Sequence, residues 1–172
     1  VIGEGGMGVV YRAQHVVIEK PVAIKVLHDH FARQKDVVEQ FIIEAKAASR
    51  IRHPNIIDVT DFGTTPDGMV YLVMEYLDGE SLADRLSHTH RIPVFEAINI
   101  VRQVASGLGA AHELGIIHRD LKPANIFLCT REGRRRIVRR TENASGISFT
   151  VEPERMFDYV KLLDFGVAKF LD

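Results

Sequence analysis

The sequence contains a single cysteine, Cys129, so no disulfide can close within the chain. That excludes the disulfide-stapled secreted class and fits a reducing compartment. No apolar run approaches the ~20 residues of a membrane-spanning helix. The opening Val1-Ile2-Gly3-Glu4 has neither the basic start nor the apolar stretch of a signal peptide. An excess of one charge is missing too. Lys and Arg number 22 against 23 Asp and Glu, a formal net charge of −1, so no global field favours nucleic acid or an anionic membrane surface. There is no internal repeat. What remains is an ordinary globular mixture, 46% hydrophobic and 26% charged over 172 residues. It suffices for one domain with a sizeable core, and a cytoplasmic setting is the expectation.

The first third reads as strands. Val9-Val10-Tyr11 and Val22-Ala23-Ile24-Lys25-Val26 are β-branched runs separated by a turn region with Pro21. A helix follows. Asp36 can cap it, Glu39 makes the first turn acidic, and Phe41, Ala45 and Ala48 recur at helical spacing with Glu44 near that face. Ile56-Ile57 and Val70-Tyr71-Leu72-Val73-Met74 read as two more strands around a turn cluster from Gly63 to Gly68. This order predicts a small antiparallel sheet with one packed helix. Beyond Met74 the pattern turns helical. Ser81-x-x-Asp84 has the form of a capping box, and Pro93 suits the first turn of a longer helix. Ile98, Val101, Ala105, Leu108 and Ala111 give that helix its predicted apolar face. The expected organisation is an α+β chain, with a β-rich lobe over residues 1–74, a joint over 75–80 and a helical lobe over 81–172. Residues 129–157 interrupt two strand-like pieces, Ile126-Phe127-Leu128 and Tyr159 to Leu163. They carry Arg131, Arg134, Arg135, Arg136, Arg139 and Arg140 and read as a long, mobile insertion.

Four motifs carry chemistry. Gly3-x-Gly5-x-x-Gly8-x-Val10 is a glycine-rich loop, where missing Cβ atoms let backbone N–H groups approach phosphate oxygens. A dinucleotide-binding fingerprint would run straight into a helix, with an acidic residue about 20 positions on. Here a β-like run follows and Ile24-Lys25 stands at that distance, which leaves a phosphate loop or a plain hairpin turn. Lys25 lies within an apolar strand, where an ammonium is costly unless paired. Either its stem packs while its head reaches water, or it has an anionic partner, for which Glu44 is the candidate. His118-Arg119-Asp120-Leu121-Lys122-Pro123-Ala124-Asn125 is a polar loop clamped between Ile116-Ile117 and Ile126-Phe127-Leu128. Rigid scaffolds present catalytic groups in this way: Asp120 can accept a hydroxyl proton and Asn125 can bind a metal. Asp164-Phe165-Gly166 follows a hydrophobic strand. Its carboxylate suits Mg²⁺, a hard cation, though alone the tripeptide is equally a strand-end turn.

In their order and most of their spacings these motifs resemble the protein kinase family over nearly the whole chain. The resemblance implies a two-lobed fold, here a small antiparallel β lobe with one helix and the first part of a helical lobe, with ATP in the cleft. It implies that Ile2, Gly3, Glu4, Gly5, Gly6 and Gly8 belong to the phosphate-covering loop. Lys25, paired with Glu44, would hold the α- and β-phosphates. Asp120 would be the catalytic base, Lys122 would reach the γ-phosphate, and Asn125 and Asp164 would bind Mg²⁺ or Mn²⁺. Val10 and Ala23 would cover adenine from above and Phe127 or Leu128 from below. Met74 would be the gatekeeper, with backbone bonds to adenine from Glu75 and Leu77. Lys122 follows the serine/threonine pattern. The Gly3–Tyr11 loop and His53-Pro54-Asn55-Ile56 look most like bacterial, eukaryotic-like kinases. Arg119 implies regulation by activation-loop phosphorylation. The partners so implied are ATP and proteins bearing Ser or Thr, with no specific nucleic acid.

Two departures stand out. The interval from Asn125 to Asp164 exceeds the family's short link, and residues 129–157 account for the excess. Lengthening a surface loop costs little, so the two metal ligands are still expected to meet. The chain also begins without Met and ends at Asp172, soon after Asp-Phe-Gly. It is expected to be a piece of a longer protein, without the activation segment, the Ala-Pro-Glu element and the later helices. Such a piece would keep ATP binding and lose efficient protein phosphorylation. The competing readings are a nucleotide-binding scaffold without turnover, and an arginine-rich site for nucleic acid or an acidic partner. Against the latter, arginine runs are most often solvated loops.

Overall fold

The computed structural model describes residues 1–130, 136–143, 146–153, 157–164 and 169–170. The β-branched runs of the first third form one antiparallel sheet. Its strands are β1 (Gly3–Glu4), β2 (Gly8–Gln14), β3 (Pro21–Leu27), β4 (Val59–Thr64) and β5 (Val70–Glu75), in the order β1-β2-β3-β5-β4. Lys25 pairs with Val10 on one side and Leu72 on the other, which fixes it in mid-sheet.

Two helices follow β3: a short α1 (Asp29–Ala32), which the sequence pattern does not signal, and α2 (Lys35–Arg50). Asp36 does not cap α2. Gln34 holds the N-cap position without a side-chain bond, and Asp36 lies in the first turn, where a carboxylate favours the positive helix end. Phe41 and Ala45 of α2 pack with Leu27, Val70 and Leu72 of the sheet, as the helical spacing predicts. Phe41 is fully buried. Phe41→Ala is expected to destabilise the fold by ~3–5 kcal/mol, read as a lower urea midpoint at unchanged slope; a loss within experimental error would place the residue outside the core.

Ile56 and Ile57, predicted as a strand, precede β4. They are buried in a connection that runs beside the last strand of the helical half: Ile57 N–H donates to Leu162 C=O (3.0 Å) and Leu162 N–H to Asn55 C=O (2.8 Å). A buried β-branched pair reads alike in a strand and in such a connection.

The second half contains β6 (Gly79–Ser81), α3 (Leu82–Thr89), α4 (Val94–Glu113), β7 (Ile116–Ile117), a 3-10 turn at Pro123–Asn125 and β8 (Ile126–Thr130). Then come β9 (Arg136–Asn143), β10 (Gly146–Pro153), β11 (Phe157–Leu162) and β12 (Lys169–Phe170). Strands β11, β8 and β6 form one sheet. Glu75 therefore belongs to β5 and Gly79 to β6, with Tyr76, Leu77 and Asp78 between the two strands. Ser81 caps α3 as predicted, accepting from Asp84 N–H (3.1 Å). Pro93 is the N-cap of α4 and not in its first turn.

The predicted apolar face of α4 is wrong in most positions. Ile98 and Val101 are 59% and 65% exposed, while Ile100, Val104, Gly107 and Ala111 are buried. The helix is apolar on more than one side, so periodicity alone does not choose the inward face. Packing chooses it: a Cβ at Gly107 would lie 3.1 Å from Leu162 Cδ1 and 3.2 Å from Asn55 C=O. Gln103 is buried on the same face. Its Oε1 accepts from Asn55 Nδ2 (2.9 Å) and Val160 N–H (2.9 Å).

The insertion contains strands that the sequence pattern does not signal. Cys129 and Thr130 continue β8, and Phe157 opens β11. These strands pair with each other from Phe157↔Thr130 to Leu162↔Ile126, through a bulge after Phe157. Between them β9 and β10 form an antiparallel hairpin, from Arg136↔Pro153 to Gly146↔Asn143. Strand-forming residues such as Ile137, Val138, Ile147 and Val151 were obscured by the arginines. Arg131, Arg134 and Arg135 lie outside the described residues, as do Phe165 and Gly166. Among the described residues no helix is long and apolar enough to cross a membrane.

Candidate active site

A tight turn joins β1 to β2. Gly5 N–H donates to Gly8 C=O (3.0 Å), and Met7 C=O accepts from His28 N–H (3.1 Å), which seats the turn on the end of β3. Gly8 serves the sheet: a Cβ there would lie 2.1 Å from the Val26 carbonyl oxygen. A Cβ at Gly5 or Gly6 would meet nothing within 4 Å. The fold itself makes no demand for glycine at those two positions, whereas an anion approaching the loop backbone does.

Lys25 is the junction of the site. Its Nζ donates to Glu44 Oε1 (3.1 Å) and to Asp164 Oδ1 (2.9 Å). One ammonium thus ties the sheet to α2 and to the residue just past β11. Burial works against the charge on Lys25, but Asp164 and then Glu44 outweigh it and hold its pKa above the usual lysine value. Burial likewise pushes the Asp164 carboxyl up, and Lys25 outweighs it, leaving Asp164 below the usual carboxylate range. At Glu44 burial wins over Lys25, and the carboxyl is pushed up to about 7. The two carboxyls are coupled: burial raises both, Lys25 outweighs it only at Asp164, and the contact between the two groups raises Glu44 while it lowers Asp164. Of the pair, Glu44 therefore takes the proton first.

This has a consequence for stability. The fold favours neutral Glu44, so its stabilising contribution is present at acid pH and is lost as pH rises from 4.5 to about 7. Glu44→Gln removes that dependence. The unfolding temperature of the variant, relative to the unaltered protein, is expected to climb between about pH 4.5 and about pH 7 and to level off above. A pH-independent difference would contradict a raised Glu44 pKa.

The polar loop after β7 is fastened from below. His118 is buried; its Nε2 lies 3.0 Å from Leu163 C=O, and its Nδ1 accepts from Asp120 N–H (3.3 Å), an arrangement that needs the proton on Nε2. Arg119 (φ 61°) and Asp164 (φ 50°) sit in the left-handed region. For residues with a Cβ this costs ~1–3 kcal/mol each and persists only where surrounding bonds impose it. Asp120 Oδ2 meets Lys122 Nζ at 2.8 Å and Asn125 Nδ2 at 3.1 Å. The Lys122 contact, followed by Asn125, holds the Asp120 carboxyl below its usual range. Asn125 is buried, its Nδ2 donates to Asp120 C=O (2.8 Å), and its own C=O accepts from Leu163 N–H (2.9 Å). That last bond sets Asn125 next to Asp164 despite the 38 residues between them.

Lys25, Glu44, Asp120, Lys122, Asn125 and Asp164 face one cleft of about 950 Å³. Every residue predicted for the site lines it: Ile2, Gly3, Glu4, Gly5, Gly6, Gly8, Val10, Ala23, Lys25, Glu44, Met74, Glu75, Leu77, Asp120, Lys122, Asn125, Phe127 and Asp164. Leu128, the alternative to Phe127, is fully buried in the core instead. Met7, Ile57, Tyr76, Glu80, Ser81, Asp84, Ala124 and Leu163 also line the cleft, and the sequence pattern does not signal them for it. Ser81-x-x-Asp84 reads there only as a cap, which the Ser81 hydroxyl does form with Asp84 N–H. Among the described residues, no group of three or more His, Cys, Asp or Glu could hold a metal ion. A carboxylate and an amide oxygen, Asp164 and Asn125, nonetheless suit Mg²⁺, which keeps waters and phosphate oxygens for most of its coordination.

Known proteins resemble this chain in sequence and in fold. Residues 1–172, the whole chain, match the protein kinase domain family. The chain is 43% identical to the serine/threonine-protein kinase pkn3 of Myxococcus xanthus, covering 100% of this chain and 27% of that protein. It is 39% identical to the serine/threonine-protein kinase PrkC of Bacillus subtilis over 74% of this chain and 20% of that protein. The crystal structure of a double mutant of the Mycobacterium tuberculosis PknI kinase domain superposes with a TM-score of 0.70 at 30% identity, over 98% of this chain and 57% of that one. The chain thus spans about a quarter of the length of the curated relatives it matches. By sequence and by structure alike, the chain belongs to the protein kinase domain family.

Proposed function

We propose that the cleft binds Mg·ATP and that the protein transfers the γ-phosphoryl group to serine or threonine hydroxyls of other proteins. The observation that carries this is the Lys25 junction, one cation shared by Glu44 and Asp164, facing the Asp120–Lys122–Asn125 cluster across a single cleft. In this reading Lys25 grips the α- and β-phosphates while Glu44 sets its direction. Asp164 and Asn125 hold the divalent ion, which supplies charge neutralisation at the phosphates when bound. Asp120 accepts the substrate hydroxyl proton as that oxygen bonds to the γ-phosphorus and the bond to the departing ADP oxygen breaks. Lys122 neutralises charge developing on the transferred group. Positioning and electrostatics do nearly all the work in such a transfer. Adenine takes backbone bonds from Glu75 and Leu77 beside Met74, between Val10 and Ala23 above and Phe127 below. The serine/threonine preference rests on Lys122 and on the names of the relatives. The setting we propose is the cytoplasm, where ATP is plentiful and the lone Cys129 stays reduced.

Calorimetric titration of the full-length protein with Mg·ATP tests the binding half. Saturable one-to-one binding with Kd below ~1 mM is expected, the range of ordinary enzyme–substrate affinities. No saturable heat would contradict the reading. Binding without any phosphoryl transfer would favour the nucleotide-binding scaffold instead.

A further inference from the structure

Lys161 is the buried charge that the nucleotide reading leaves unused. It lies on β11, three positions before Asp164 and directly across the ladder from Phe127 of the cleft floor, and it is only 8% exposed. Its Nζ reaches Glu75 Oε1 at 2.5 Å and donates to Ile56 C=O (3.0 Å). Glu75 closes β5, where the adenine-facing joint begins. Its Oε1 also accepts from Asp58 N–H (2.8 Å), and its own N–H donates to Asp58 C=O (2.9 Å). The connection between α2 and β4 is itself stitched to β11 through Asn55, Ile57 and Leu162. Three hydrogen bonds thus converge on a single ion pair, which joins the strand leading to the cleft's adenine edge to the strand leading to Asp164.

We propose that Lys161 is a positioning residue. Through Glu75 it sets the adenine-facing end of the first sheet at a fixed distance from Asp164, so that one nucleotide meets both at once. This rests on the Mg·ATP reading of the cleft. The physical case is one of orientation. A buried ion pair adds little stability over a well-packed apolar pair, and its best-attested use is to fix one arrangement among alternatives. An ion pair whose members also bond two backbone groups of a third segment is directional in a way that packing is not. A ligand that touches only the adenine edge is indifferent to the spacing. A ligand that spans the cleft is not, because its two ends are cheap to bind together only when both sites are already in place.

Adenosine and Mg·ATP separate these cases. In the full-length protein, Lys161→Met is expected to weaken Mg·ATP binding by about tenfold or more while adenosine affinity stays within about threefold. Lys161→Arg, which keeps a donor for Glu75, is expected to restore most of the loss. The double variant Lys161→Met/Glu75→Gln leaves no unpaired buried charge, so it guards against misfolding, and it is expected to lose the same ATP-to-adenosine ratio. A ratio unchanged in both the single and the double variant, or equal losses for the two ligands, would overturn the positioning role alone. Failure of the unaltered protein to bind Mg·ATP would overturn the nucleotide reading, and this inference with it.

Discussion

Asp120→Asn in the full-length protein is expected to lower phosphoryl transfer by about 10²- to 10⁴-fold, the usual worth of a positioned general base, with Mg·ATP affinity nearly unchanged. The asparagine keeps the shape of the side chain and can still meet Asn125 and Lys122. It cannot take the hydroxyl proton. Lys122 and Asn125 keep the Asp120 carboxyl ionised, at some cost in basicity, and its side chain is 41% exposed and open to an incoming hydroxyl. The effect should therefore fall on kcat and spare nucleotide binding. Equal rates for the variant and the unaltered protein would remove Asp120 from the chemistry; a large loss of Mg·ATP affinity would make it a nucleotide-binding group instead.

Lys25→Met is expected to act earlier, reducing Mg·ATP affinity and kcat/KM together by about 10²-fold or more, the scale on which a misplaced site loses rate. The substitution removes the only cation found between Glu44 and Asp164 among the described residues. Leaving an uncompensated buried charge usually costs ~3–5 kcal/mol. Here the cost is softened. Glu44, with its carboxyl already pushed up to about 7, can take a proton, and Asp164 is open enough to be hydrated. The variant should thus fold, with a lowered unfolding temperature, yet present the phosphates with carboxyl groups and no ammonium. Calorimetry on a variant shown to be folded decides the matter: unchanged affinity would mean that Lys25 serves the fold and not the nucleotide.

The site was more legible in the sequence than the fold around it, for a physical reason. Chemistry needs particular residue types at particular spacings, and these survive in the linear pattern. Gly5, Lys25, Asp120, Asn125 and Asp164 are all recognisable before their positions in space are known. Packing is degenerate by comparison. The stripe containing Ile98 and Val101 was as apolar as the one containing Ile100 and Val104, and only the close approach of Leu162 and Asn55 at Gly107 separates them. Ile56 and Ile57 read as a strand for the same reason, since burial and strand pairing favour the same residues. The β9–β10 hairpin was lost beneath its arginines. The Lys161–Glu75 pair left no local signal at all, because its two residues are 86 positions apart and each lies in a strand that gives no sign of needing a charge.

Transfer of radiolabelled γ-phosphate from ATP to a generic basic protein, followed by identification of the labelled amino acid, tests the central claim most directly. The full-length protein is expected to label serine and threonine at a turnover of about 1–100 s⁻¹, the range of protein kinases, with the Asp120→Asn protein assayed beside it and falling far below. Label confined to tyrosine, or saturable Mg·ATP binding with transfer no faster than that of Asp120→Asn, would contradict the account.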